Sequence, residues 1–307
     1  MYQENHTMIS EFFLLGFQNL HLFKIPFFLL ILAIYIVTIS GNVLIVLLVY
    51  LLNSPMYFFL CHLSLCDIMS TTTIVPFMLK VILEDGSKIS RFGCLSQLQV
   101  FEWCGATQCY ILTVMSYDRY LAICKPLQYS SIMVFKLCLT LVICSWSSIF
   151  CSSLVARILI ETLQFCDNNL IDHFFCDFPP VLRLSCSDTT VVEIEAFLVI
   201  PFVLVLPFLF VVVTYVYIFF TIIGISSSTG RRKTFSTCSS HLTVVCIFFG
   251  TLISIYVSPS KEYTLNTDKF ISLFYTVVTP LLNPIIYSLR NQEIRKSATI
   301  LLRGRNV

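Results

Sequence analysis

The sequence predicts an all-α membrane protein: a seven-transmembrane helix bundle, amino terminus extracellular, followed by a short cytoplasmic amphipathic helix. Three observations carry that expectation. Of 307 residues, 57% are hydrophobic and 12% are charged, too little polar surface to dissolve a folded globule of this length. Seven apolar segments are each long enough, at about 1.5 Å per helical residue, to cross a hydrocarbon core. With the amino end outside, eleven of the nineteen basic residues fall on the inner side, the densest run being Arg231-Arg232-Lys233. The acids agree, since only Asp118 and Glu293 lie on that side. A backbone in lipid has no water to bond, so only helices or a closed barrel can cross it. Continuous apolar runs without strand-like alternation select helices.

In chain order, residues 1–24 are expected as an extracellular segment, 25–289 as the membrane domain and 290–307 as a cytoplasmic tail. The first segment carries Glu4 and Glu11 and lacks a basic start followed by an apolar core and a small-residue cleavage site. No removable signal peptide is therefore expected. Asn5-His6-Thr7 is an acceptor pattern for N-glycosylation on an outward-facing end. The spans are placed at Ile25–Tyr50, Pro55–Leu79, Cys94–Cys124, Leu137–Val155, Ala196–Ile225, Thr234–Val257 and Phe270–Leu289.

Asn42 in the first span and Asp67 in the second are polar groups deep in apolar helices, so they must face the bundle, each other or water. Pro55 opens the second span at a tolerated first-turn position. Trp146 in the fourth reads as packing. Pro207 loosens the fifth, and the Asn283-Pro284 step interrupts regular bonding in the seventh, with Tyr287 a mobile aromatic just beyond. Gln292–Arg303 alternates basic and apolar groups, as a helix lying on the inner membrane surface would.

Four of the fourteen cysteines fall outside the membrane: Cys94, Cys166, Cys176 and Cys186. They face an oxidising compartment, where disulfides persist. Four cysteines allow three pairings, and the sequence alone does not choose among them. Their spacing of ten residues lacks the short pairs of a zinc site, even with His173 nearby. The other ten read mostly as small apolar fillers.

The most informative stretch is Met115-Ser-Tyr-Asp-Arg-Tyr-Leu-Ala-Ile-Cys-Lys-Pro126, where a charge pair, Asp118–Arg119, ends the third apolar run. Charges at a membrane boundary are costly, and they mark a function by default. Pro55-Met-Tyr-Phe-Phe-Leu60, Lys233-Thr-Phe-Ser-Thr-Cys-Ser-Ser-His-Leu242 and Pro280-Leu-Leu-Asn-Pro-Ile-Ile-Tyr-Ser-Leu-Arg-Asn291 occur in order around it. Together these strings resemble the odorant receptors, a family of rhodopsin-like G protein-coupled receptors, over nearly the whole chain. Three positions depart from the family pattern. Thr214-Tyr215 stands where Ser-Tyr is usual, Phe248-Phe-Gly250 where Phe-Tyr-Gly is common, and Gln108 where Glu is common.

The resemblance implies disulfides Cys94–Cys176 and Cys166–Cys186. It also implies a switch of Asp118, Arg119, Tyr120, Tyr215, Asn283, Pro284 and Tyr287, in which Arg119 is held by Asp118 at rest and moves towards Tyr215 and the G protein on activation. The implied partners are a small-molecule odorant, a stimulatory heterotrimeric G protein raising cyclic AMP, and membrane lipid against the basic inner loops. The implied location is the plasma membrane, as a multi-pass protein. Gln108 faces Asp67 in the bundle core with Asn42. With one carboxylate there instead of two, a sodium ion would be held weakly, and no metal is assigned.

Helix phase proposes a ligand cavity in the outer half. Phe101, Glu102, Gly105, Ala106 and Cys109 come from span three, with Val199, Ile200, Val203, Phe249, Leu252, Tyr256, Leu273 and Thr276 from spans five to seven. The set is mostly apolar, as a small hydrophobic ligand requires. Glu102 is the unusual member. Three readings stay open for it: a hydrogen-bond anchor, a counter-ion for an amine, or a structural acid bonded to a loop or helix.

No phosphate-cradling Gly-rich loop, metal-ligand set or serine elbow is present, so neither catalysis nor a cofactor is expected. No nucleic-acid partner is expected either. A receptor for a lipid, a peptide or another non-olfactory ligand is the alternative, since a fold does not fix its ligand. A transporter is a further one, although no paired broken helices in two related halves appear.

Overall fold

The computed structural model describes residues 9–18, 20–49, 54–166, 169–256 and 265–290. Asn5 and the expected tail helix lie outside these residues. Seven long helical spans are found among them: Lys24–Val49, Pro55–Glu84, Arg91–Cys124, Phe135–Glu161, Thr190–Ile223, Ser228–Tyr256 and Leu265–Arg290. Short helices Pro126–Ile132 and Phe178–Leu182 lie in the connections.

Among the described residues, five helices are individually long and apolar enough to cross a membrane: His21–Leu48, Pro55–Glu84, Phe135–Glu161, Thr190–Ile223 and Asp268–Tyr287. A shorter apolar stretch, Cys238–Ser254, belongs to the sixth span. The third span is more polar because its neighbours are protein rather than lipid. It packs against spans two, four, five and six. The lipid-facing spans invert the soluble pattern. Leu29, Leu30, Ile36 and Val37 on the first and Phe197, Phe202, Leu209 and Val213 on the fifth are exposed, as hydrocarbon surroundings permit.

Several spans are longer than the apolar runs suggest. Pro76 sits inside the second helix without ending it, and that helix stops at Asp85, whose left-handed φ of 55° precedes Gly86 at φ 120°. The third begins three residues before Cys94 because the Ser90 hydroxyl accepts from the Gly93 amide at 3.1 Å, capping it. The fourth continues past Val155, where Arg157 donates to Glu161 at 2.9 Å and reaches Ser96 and Gln99 on span three at 2.9 and 3.2 Å. Spans five and seven each contain one π-helical turn, Pro201–Val205 and Phe274–Val278. Pro207 has no amide hydrogen to continue regular bonding below the first. In the second, the Thr279 hydroxyl donates to the Phe274 carbonyl at 3.4 Å.

The outer face carries a small sheet that the apolar pattern did not anticipate. Strand β1 (Glu11–Leu14) pairs antiparallel with β2 (Ser87–Ser90), Phe12 opposite Ile89, and parallel with β3 (Leu170–Ile171), Phe13 opposite Leu170. Phe12 and Leu14 are fully buried against Val81, Leu95, Leu98 and Phe165. Disulfides Cys94–Cys176 and Cys166–Cys186 fix the long loop to span three and to itself, with Cα separations of 5.4 and 5.8 Å. Gln97 adds a polar tie, accepting from the Cys176 amide at 2.9 Å and donating to the Thr73 carbonyl at 3.0 Å. Buried Lys269 of span seven then binds this cover from beneath, donating to the Gly16 carbonyl at 2.9 Å and to Asp172 at 2.5 Å.

Candidate functional site

Beneath that cover lies a cavity of about 160 Å³, bounded by spans three to seven and the loop residue Phe178. Phe101, Glu102, Gly105, Ala106, Cys109, Val199, Ile200, Val203 and Leu252 line it. Three other expected residues stand elsewhere. Phe249 is fully buried against Phe208, ring centres 5.6 Å apart. Thr276 is buried with its hydroxyl donating to the Ser272 carbonyl at 2.7 Å, and Leu273 is half-buried against the main core. The side chain of Tyr256 lies outside the described residues.

The structure adds a wall that helix phase missed: Ile149, Ser152, Ser153 and Ala156 of span four, Glu195, Ala196 and Leu204 of span five, and Tyr275 of span seven. Glu195 is the one with a sequence signal, an acid at the head of an apolar run. The expected fifth span started one residue after it.

Tyr275 stands on the π turn of span seven and packs edge-on to Phe101 at 5.3 Å and against Phe248 of span six at 6.0 Å. Gly105 makes room for it, because a Cβ there would collide with the Tyr275 hydroxyl. The cavity is thus in direct contact with spans six and seven through one aromatic cluster.

Midway down the bundle, buried Asp67 receives Gln108 Nε2 on Oδ1 at 2.7 Å and Asn283 Nδ2 on Oδ2 at 2.8 Å. The carboxylate therefore ties spans two, three and seven together. Asn42 does not bond to Asp67. Its amide donates to the carbonyls of Thr38 and Pro280 at 3.0 and 3.2 Å. Gly41 lets span one approach Pro284, where an added Cβ would stand 3.1 Å from the ring. Tyr287 is buried one turn below Asn283.

At the inner end, fully buried Asp118 binds its neighbour Arg119 through Nε at 2.9 Å and through a second, shorter bond from the same guanidinium. Its other oxygen accepts from the Tyr129 hydroxyl of the short helix Pro126–Ile132 at 2.8 Å. Burial, reinforced by the adjoining Asp118 charge, pushes the Tyr129 phenol well above its usual range, so it stays a donor. Tyr215 is engaged elsewhere, 2.6 Å from His241 Nδ1 on span six. Tyr120 packs edge-on to Tyr217 at 5.9 Å. Tyr129 and His241 were not anticipated as partners of this cluster. His241 lies inside the family-like string that opens span six, which was the available signal.

The order of these features along the chain has close parallels among known proteins. A family model described as "Olfactory receptor" matches residues 31–304. Olfactory receptor 11L1 of Homo sapiens is 45% identical over 306 residues, covering 99% of this chain and 95% of the relative. Olfactory receptor 5G26 of Mus musculus is 46% identical over 298 residues, covering 96% and 94%, and Homo sapiens olfactory receptor 10A7 is 45% identical over 295, covering 95% and 93%. With motifs, helical membrane fold and match agreeing over nearly its whole length, the chain belongs to the olfactory receptor family, multi-pass plasma-membrane receptors rather than enzymes.

Proposed function

We propose that the outer cavity binds small, mainly hydrophobic odorants and that occupancy activates a stimulatory G protein, raising cyclic AMP. The observation that carries this reading is the cavity itself, lying below the loop cover and walled mostly by apolar side chains. A ligand shifts an equilibrium only if it binds one bundle arrangement better than another. The reading is supported by the cavity's contact with Leu252 of span six and Tyr275 of span seven as well as the central third span, through which a change in bundle arrangement would alter its shape. Movement of span seven would be felt at the Asn283–Asp67 bond and at Pro284 and Tyr287. At the inner end, loss of the Asp118–Arg119 bond frees the arginine towards Tyr215 and the G protein. Exposed Arg231 and Arg232 suit an anionic lipid surface beside that partner.

The test is a ligand panel read by cyclic AMP in cells expressing the full chain, with surface staining, alongside Ala106→Phe, which fills the cavity. Agonists active on the wild type and lost in the variant at equal surface level support the reading. Agonists that act through a different second messenger overturn the coupling. Tracer uptake without a nucleotide-dependent signal overturns the receptor mechanism.

A further inference from the structure

The cavity holds two carboxyl groups, Glu102 from span three and Glu195 from span five. Among the described residues neither has a hydrogen bond or an ion pair. A structural acid bonded to a loop or helix, one of the readings open for Glu102, thus finds no partner here. Among the described residues no lysine, arginine or histidine lines the cavity. Arg157, the guanidinium of the adjoining fourth span, is already committed to Glu161, Ser96 and Gln99. The site is therefore one-signed as well as apolar.

We infer that the preferred ligands of this cavity are small apolar amines, the basic nitrogen held between Glu102 and Glu195; this rests on the cavity being the odorant site. An unpaired carboxylate in an apolar wall is costly; it is relieved by taking up a proton or by pairing with a cation, and an amine that accepts the carboxyl proton becomes that cation. An ammonium donates charge-assisted hydrogen bonds that an alcohol matches only weakly. A carboxylate odorant would add like charge in a low-dielectric space and is excluded. The hydrocarbon body sits against Phe101, Cys109, Val203 and Leu252. The volume of about 160 Å³ is close to the roughly 150 Å³ apolar cavity that admits benzene, so the amine is about benzene-sized in its carbon frame.

The experiment compares butylamine, cyclohexylamine and benzylamine with the alcohols and carboxylic acids of the same skeletons. Two readouts are taken: the melting temperature of the purified full-length receptor, which needs no G protein, and the cyclic AMP response at matched surface level. Amines should stabilise and activate best and the acids least. In Glu102→Gln, Glu195→Gln and the double variant, the potency of amines relative to alcohols should fall about tenfold or more, the scale of a lost charge-assisted bond. No amine stabilising or activating the wild type, or an unchanged ratio in the double variant, overturns the inference. Ala106→Phe separates the two claims. If it blocks the alcohols while the glutamine variants leave the ratio unchanged, the cavity stands and the amine preference falls. If it blocks nothing, the cavity reading itself falls.

Discussion

Gly105→Ala tests the contact between the cavity and span seven. An alanine in mid-helix normally stabilises by about 1 kcal/mol over glycine. Here the added methyl meets the hydroxyl end of Tyr275, whose ring is fixed between Phe101 and Phe248. Overpacking of that kind costs about 1–3 kcal/mol, so the collision outweighs the helix gain and Gly105→Ala lowers the melting temperature of the purified receptor. Tyr275→Phe removes the colliding atom and keeps the ring, so on its own it changes stability little. In the Tyr275→Phe background the sign should reverse, with Gly105→Ala mildly stabilising. The double-mutant cycle then gives a coupling of about 1–3 kcal/mol between the two positions. Gly105→Ala melting at or above the wild type, or additive effects in the cycle, would refute the packing argument.

At the inner end, Asp118→Asn should raise basal cyclic AMP by weakening the hold on Arg119. Tyr129→Phe should do so less: it removes one charge-assisted bond to Asp118, worth about 1.5–3 kcal/mol, but leaves the carboxylate charge and both Arg119 bonds in place. Arg119→Ala should abolish signalling while leaving surface delivery intact; normal signalling would remove the switch assignment. His173, buried in the outer cover and accepting from the Phe175 amide at 3.4 Å, has its pKa pushed down to about 3 by burial, with the Lys269 charge adding to it. It is neutral in the fold but takes a proton near pH 6.5 when unfolded, so its contribution to stability is intact above that pH and is lost as pH falls from about 6.5 towards 3. At pH 5 the loss is about 2 kcal/mol. His173→Phe should flatten that part of the melting-temperature profile, and an equal acid loss in the variant would contradict the assignment.

Most spans were legible because they are continuous apolar runs whose length is set by the bilayer; the more polar third span was legible from the charge pair that ends it. The inner charge pair and Asp67 were legible because ionisable groups are rare in such runs. The outer sheet was not. Strands of four and two residues carry too little alternation to read, and their pairing joins residues 11–14, 87–90 and 170–171, far apart in the chain. Lys269 gave no sign of burial, because its partners Gly16 and Asp172 come from two other segments. The cavity was half legible. Helix phase reaches the residues of span three, whereas the fourth-span wall depends on how two helices cross, and Glu195 was hidden by a span boundary drawn too late. The π turn at Phe274–Val278 departs from the regular 3.6-residue repeat on which helix phase relies, and Tyr275 within it, rather than Thr276 or Leu273, lines the cavity.

The most direct test of the central claim is the cyclic AMP dose–response of Ala106→Phe beside Ile36→Phe, a substitution of similar size on the lipid-facing side of span one. At equal surface expression, the account predicts a flat response for Ala106→Phe to every agonist of the wild type and an unaltered curve for Ile36→Phe. Wild-type curves from Ala106→Phe would contradict it.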